Sequence, residues 1–252
     1  MIPYITIPPL KLGGFLTLQP FGTLVVIGCL VGYTVACWHA VSVGSDRREI
    51  RTLILLVLIV SFIFAHWVSM LLYYPDQVLR RPWLLVSFNL SLSSYGGFLG
   101  AALGVALYWA CYRRTTQLSP WKVGDAIAIG WTAGWFFGRL GCTVAHDHPG
   151  RRTDFFLAVR YPDGSRHDLG LYEWLFTICL LGLVFSIRRK QLPPGRLIGI
   201  VCVCYAPVRF LLDFLRVGEK QYFGWLPSQY FSVALLLFGL WTLVMTRKAQ
   251  VR

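Results

Sequence analysis

Two stretches of this sequence set charge among apolar residues, and their residue types suit the holding of a phosphate. In the first, Arg139 follows Trp135, Phe136, Phe137 and Gly138 near the end of an apolar run. In the second, Tyr205, Arg209, Asp213 and Arg216 are spaced four, four and three apart, which puts them on one stripe of a helix. Charges at membrane depth are costly and usually mark a functional site. Arg209 and Asp213 also make sense as an i,i+4 ion pair, and Arg139 as a side chain snorkelling to the headgroups. The functional reading is that the guanidinium forks of Arg139 and Arg209 converge on phosphate oxygens while Asp213 orients Arg209. The expected ligand is then an anionic phospholipid headgroup in the outer leaflet.

Directly after Arg139 comes a polar run containing Cys142, His146, Asp147, His148, Pro149 and Gly150. Cys142 and His146 are four apart and lie one above the other if the helix continues. Four uses are open. His146 or His148, aligned by Asp147, serves as a general base. Cys142 is a nucleophile activated by His146. Cys142, His146 and His148 hold a metal such as zinc, although one Cys with an H-x-H pair is an incomplete ligand set. In the last reading these residues only hydrogen-bond a loop. No cofactor is required. Cys29, Cys37, Cys111, Cys179, Cys202 and Cys204 lie in or at the ends of apolar runs and read as small buried hydrophobes. His39 and His66 read as packed, hydrogen-bonded residues.

The elements that must position these groups follow from composition. The chain is 252 residues, 56% hydrophobic and 14% charged, with a mean hydropathy of +0.58. Soluble domains average about 45–50% apolar and about 25% charged, so the excess must face lipid. Disorder is excluded, and length excludes a disulfide-stapled secreted mini-domain. The net charge of +13 does not point to nucleic acid, because the basic residues fall between apolar runs rather than on one face. Runs near 20 residues occur at 15–43, 52–74, 95–112, 123–140, 171–187, 197–215 and 225–245. The connections at 45–51, 113–122 and 188–196 and the tail at 247–252 hold 13 of the 24 basic residues. These fall after every odd run, which predicts an outside N-terminus and a cytoplasmic C-terminus. The expectation is an all-α integral membrane protein, one membrane domain over 1–252, with seven spans and a small extracytoplasmic element at 142–170 between spans four and five. Within that element 155–161 predicts a strand, with a turn at Pro162 to Gly164. No cleavable signal peptide, internal repeat or low-complexity segment is expected. Gly96, Gly97, Gly100 and Gly104 either pack helices closely or leave room for a lipid chain.

Further segments fall in a recognisable order. Pro8, Pro9 and Leu10 lead to a first run opening on Phe21-Gly22, and Tyr95-Gly96-Gly97 opens the third. Gly138-Arg139-Leu140-Gly141 is followed by Asp147 and Gly150, and Arg166-His167 precedes Leu171-Tyr172-Glu173. Tyr205, Arg209, Asp213 and Arg216 then come before Ser228, Gln229 and Ser232. With these segments in register over nearly its whole length, the chain resembles the prolipoprotein diacylglyceryl transferase family. The resemblance implies a multi-pass protein of the bacterial inner membrane. It would transfer the diacylglyceryl group of phosphatidylglycerol to the thiol of a secreted lipoprotein precursor, releasing glycerol phosphate. It also implies that Tyr95, Gly96, Gly97, Gly150, Glu173, Tyr205 and Asp213 line the site, with Arg139 and Arg209 charging the leaving phosphate. A thiol with a pKa of about 8.5 must become a thiolate in that reaction. Three positions depart from the family pattern: Tyr95 replaces a histidine, Phe21 a tyrosine and Cys142 an asparagine. A tyrosine, with a pKa of about 10, is a poor base at neutral pH, which leaves the run from Cys142 to His148 to supply one. The alternatives are a paralogue with a different lipid or acceptor, or a non-catalytic lipid-binding or transport protein on the same scaffold.

Overall fold

The apolar runs fold as helices, because in lipid every backbone group must be satisfied within its own segment. A computed structural model describes residues 1–12, 16–87, 92–188, 192–218 and 221–250. In chain order the helices are α1 (Pro20–Ser42), α2 (Arg47–Tyr73), the short α3 (Pro75–Arg80), α4 (Ser94–Tyr112), α5 (Pro120–Ala145), α6 (Leu169–Ile187), α7 (Arg196–Asp213) and α8 (Pro227–Gln250). Each of the seven apolar runs thus falls on a helix of 18 to 27 residues. Among the described residues four helices are long and apolar enough to cross a membrane, those at Pro20–Ser42, Arg47–Leu72, Leu169–Ile187 and Pro227–Arg247. The chain forms two compact units, one of Met1–His39 with Pro120–Arg252 and the other of Ala40–Ser119.

In the first unit, α1 and α5 approach through facing glycines. A Cβ on Gly134 would stand 2.6 Å from the Gly28 carbonyl oxygen, and one on Gly130 would stand 2.5 Å from that of Gly32. Both helices therefore carry a small-xxx-small pair at their contact, the pattern that lets backbones touch. Gly134→Val should lower stability by about 1–3 kcal/mol, the usual cost of overpacking. Thermal unfolding in detergent reads this, and a melting temperature matching the unsubstituted protein would show that the contact is slack. The core of the unit joins Ala128 and Ile129 of α5, Leu180 and Val184 of α6, and Leu197, Val201 and Tyr205 of α7.

Asp125, buried at the start of α5, caps α7 from a distance. Its carboxylate accepts from the Gly195 N–H at 2.7 Å and the Ile198 N–H at 2.9 Å. Gly195 has φ +89°, a left-handed turn that suits glycine after two prolines. Asp125→Ala should therefore cost about 1–2 kcal/mol, the upper range for a lost helix cap. The same unfolding assay tests it, and an unchanged transition would mean that water serves those donors as well.

The segment between α5 and α6 builds a small sheet. Its strands are β1 (Ile2–Pro3), β4 (Pro149–Arg152), β5 (Val159–Tyr161) and β6 (Gly164–Asp168), in the order β1-β5-β6-β4. β1 pairs parallel to β5, and the other pairings are antiparallel. A separate hairpin pairs β2 (Leu10–Leu12) with β3 (Leu16–Leu18). Three sequence expectations shift here. The strand expected over 155–161 occupies only Val159–Tyr161, because 155–158 form a turn. The inserted element expected over 142–170 is shorter, since α5 stays helical through Ala145 and α6 begins at Leu169. The first helix starts at Pro20, with β3 in place of its expected first turn. The N-terminal strand β1 carried no sequence signal beyond its prolines.

In the second unit α4 packs along α2. Cβ atoms on Gly96 and Gly100 would stand 2.3 and 2.6 Å from the carbonyl oxygens of Phe64 and Val60, so these two glycines serve close packing. Gly97 has only the Ala65 Cβ near it, at 4.0 Å. Asp46 caps α2 through the N–H groups of Arg48 and Glu49, both at 2.8 Å. His66 is held by the Leu84 carbonyl at 2.9 Å.

Candidate functional site

The site forms where the end of α5, the start of α6 and the end of α7 meet. Arg139 sits on the last turns of α5, Glu173 on the first turn and a half of α6, and Tyr205, Arg209 and Asp213 on one stripe of α7. All five are buried. Pro207 lies inside α7 between Tyr205 and Arg209 and withholds a backbone donor from the helix ladder there.

Glu173 is the hub. Its Oε2 takes Arg139 at 2.8 Å and Arg209 at 3.0 Å, and its Oε1 accepts from the Tyr205 hydroxyl at 3.2 Å. Arg209 reaches Asp213 with its other terminal nitrogen at 3.2 Å, and Arg216 reaches the same Asp213 oxygen at 3.1 Å. Both guanidinium groups named from the sequence are thus bridged by one carboxylate. The i,i+4 pairing of Arg209 with Asp213 is present as well. Arg139 stacks its guanidinium 4.5 Å above the Trp135 ring, an arrangement that holds the fork in one plane. Its Nε is buried without a hydrogen-bond partner among the described residues. Among the described residues, Arg139, Arg209 and Arg216 share the two carboxylates of Glu173 and Asp213, and burying such charges is costly unless each is matched. A phosphodiester would supply an acceptor for the spare Nε donor of Arg139.

The polar run after Arg139 divides into two groups. His146, at φ +50° just beyond α5, turns away from the arginines. Its Nδ1 meets Asp168 at 2.7 Å, its Nε2 meets the Ile5 carbonyl at 3.2 Å, and Tyr4 stacks on its ring at 4.4 Å. Asp168 also accepts from the Tyr161 hydroxyl at 3.0 Å and caps α6 at the Leu171 N–H, 2.9 Å. Burial, reinforced by the Asp168 carboxylate, pushes the Tyr161 phenol far above its ordinary range. His146 therefore pins the sheet to the helix ends. The second group faces Cys142. The Sγ of Cys142, a carboxylate oxygen of Asp147 and a ring nitrogen of His148 all lie within 4.8 Å of one another, and His148 Nδ1 is hydrogen-bonded to Asp147. The metal set considered from the sequence, Cys142 with His146 and His148, is thus not the one brought together, because His146 is spent elsewhere. The group that does form suits a cation poorly. Asp147 and His148 are engaged with each other, and a guanidinium nitrogen of Arg139 lies 3.7 Å from the thiol sulfur.

Gly150 ties the sheet to the site by bridging to Arg216, with the Arg151 N–H donating to the Leu215 carbonyl at 2.9 Å. Arg166 holds the Gly150 carbonyl at 3.1 Å and chelates Asp163, which keeps the Asp163 carboxyl below the usual range. His167 meets the Tyr172 hydroxyl at 2.9 Å. Phe21 packs against Gly141, where an added Cβ would stand 3.1 Å from its ring.

The family model described as prolipoprotein diacylglyceryl transferase matches residues 9–245. The chain belongs to that family. It is 29% identical over 246 residues to the phosphatidylglycerol–prolipoprotein diacylglyceryl transferase of Solidesulfovibrio magneticus, with 91% of each chain covered. The protein of that name in Legionella pneumophila is 27% identical over 254 residues, covering 96% of this chain and 98% of the relative. That of Nitratidesulfovibrio vulgaris is 29% identical over 244 residues, covering 91% and 90%. With its apolar helices, membership of this family makes the chain a multi-pass membrane transferase.

Within the family frame, two of the departing positions, Phe21 and Cys142, lie in the first unit near the arginine network. The third, Tyr95, opens α4 in the second unit, and its side chain lies outside the described residues. Gly96 and Gly97 belong to that unit too. Glu173 entered the sequence reading only through the resemblance. Yet it is the one charged residue in its apolar run, the same signal that singled out Arg139, Arg209 and Asp213.

Proposed function

We propose that this protein transfers the diacylglyceryl group of phosphatidylglycerol to the thiol of a cysteine in a secreted lipoprotein precursor, at the outer leaflet of the bacterial inner membrane. The precursor's sulfur forms a bond to the terminal glyceryl carbon, the carbon–oxygen bond to phosphate breaks, and glycerol phosphate leaves. Arg139 and Arg209 hold the phosphate and stabilise the charge that develops on it. Asp213 and Glu173 orient Arg209, and Tyr205 orients Glu173. In this reading all seven long helices span the membrane with the N-terminus outside, so that the site and the small sheet face the outer surface. The distribution of basic connections supports that orientation.

The observation that carries the proposal is the pair of buried arginines bridged by one carboxylate, with the Nε of Arg139 unspent among the described residues. Cys142 is not a carrier in this scheme. A thioether formed on it would hold the glyceryl carbon as firmly as the product does, so no second transfer would follow. The test is purified protein in phosphatidylglycerol vesicles with a lipobox peptide, followed by mass spectrometry for a diacylglyceryl adduct. An adduct that disappears with Arg139→Ala supports the reading, and no adduct from the unsubstituted protein overturns it.

A further inference from the structure

The acceptor thiol must lose its proton, and the arginine network cannot take it, because guanidinium groups stay protonated and Glu173 is engaged by three donors. Of the histidines in the first unit, His146 has both ring nitrogens occupied, by Asp168 and the Ile5 carbonyl. His167 is turned onto Tyr172. His39 lies within α1, near its cytoplasmic end in the proposed orientation. His148 is placed differently. Its Nδ1 faces the Asp147 carboxylate, which fixes the tautomer with the proton on Nδ1 and the lone pair on Nε2. Nε2 has no hydrogen-bond partner among the described residues. The side chain is 24% exposed and that of Asp147 38%, so a peptide arriving from outside can reach it. A ring nitrogen of His148 lies within 4.8 Å of the Cys142 sulfur, which is itself 3.7 Å from Arg139. His148 and Arg139 thus both stand beside the Cys142 sulfur, so a proton acceptor and a phosphate-holding arginine border the same place.

We infer that His148 is the general base for the acceptor thiol and that Asp147 is its positioning residue. The inference rests on the transfer reading above. The acceptor S–H gives its proton to His148 Nε2 as sulfur attacks the glyceryl carbon. The imidazolium, steadied by Asp147, then passes the proton to the departing glycerol phosphate, so no other reactant is needed. Among the described residues, the charged and titratable groups around His148 include Asp147 on its own segment, Cys142 and Arg139 on α5, and Glu173 on α6, whose charge lies within electrostatic reach.

The experiment measures initial transfer rates from phosphatidylglycerol vesicles to a lipobox peptide between pH 7 and 9.5, with the unsubstituted protein, His148→Gln and Asp147→Asn. Retained phosphatidylglycerol and melting temperature are recorded alongside. His148→Gln should be about 100-fold slower at pH 7, the lower range for a lost general base. Most of that loss should be regained toward pH 9.5, where a thiol with a pKa of about 8.5 ionises unaided. Asp147→Asn should lose less and regain it in the same way, with lipid retention and melting unchanged in both. The rate of the unsubstituted protein should rise less steeply with pH than that of His148→Gln. A parent rate that rises with pH as steeply as that of His148→Gln overturns the inference. So does a His148→Gln rate equal to the parent at pH 7, or a loss that persists at pH 9.5. If the unsubstituted protein gives no adduct at any pH, the transfer reading itself fails. An adduct from the parent with an indifferent His148→Gln removes only the role of His148.

Discussion

Glu173→Ala should destabilise the protein by about 3–5 kcal/mol, the cost of breaking a buried ion pair by removing one partner. One carboxylate holds Arg139, Arg209 and the Tyr205 hydroxyl, at 2.8, 3.0 and 3.2 Å. Its loss leaves two buried guanidinium groups with no shared counter-charge and removes an acceptor from the Tyr205 hydroxyl. The three helices α5, α6 and α7 meet through this residue, so the effect should appear as cooperative loss of the first unit rather than as local fraying. Glu173→Gln keeps the volume and an acceptor for Tyr205, and so separates charge from packing. It should recover only the smaller part of the loss. Phosphatidylglycerol should stabilise Glu173→Ala more than the parent, because an anion would then take the place of the carboxylate between Arg139 and Arg209. Chemical or thermal unfolding in detergent, with and without that lipid, measures all three. A shift worth less than about 1 kcal/mol would mean that water reaches the pair and that the network is not the keystone of the unit.

Much of the fold was legible because a membrane simplifies the code. Seven apolar runs became seven helices, since hydropathy alone selects the segments that satisfy their own backbones. The boundaries were less legible. Nothing in the sequence marks β1, whose two residues pair with Val159 and Arg160 through backbone groups that every residue carries. The site divided along the same line. Arg139, Arg209 and Asp213 announced themselves as charges in apolar surroundings, and Glu173 carried that same signal. The run from Cys142 to His148 did not resolve into roles, because spacing assumes a helix and α5 stops at Ala145. The left-handed turn at His146 sends its ring to Asp168 and brings His148 to Cys142 instead. Only the backbone path beyond a helix end separates two histidines of identical chemistry, and a one-dimensional pattern holds no record of it.

Arg139→Ala should reduce transfer by about a thousandfold, the upper range for removing a donor aimed at developing charge. The reason lies in how its donors are spent. Arg209 places one terminal nitrogen on Glu173 and the other on Asp213, so its substitution disturbs folding and catalysis together. Among the described residues Arg139 gives NH2 to Glu173 and has a thiol sulfur 3.7 Å from NH1, while its Nε has no partner. It thus keeps more donor capacity for a phosphate, and its substitution should fall chiefly on the chemical step. Arg139→Lys is the sharper test. It preserves the charge but loses the planar fork and the stacking on Trp135, and a point charge cannot present two parallel donors to a phosphodiester. Arg139→Lys should therefore remain within about tenfold of Arg139→Ala in kcat, with phosphatidylglycerol still retained. Single-turnover rates on lipid-saturated protein give that comparison directly. A lysine variant near the parent rate would mean that net charge alone drives departure of the glycerol phosphate, and that the fork geometry at α5 serves binding instead.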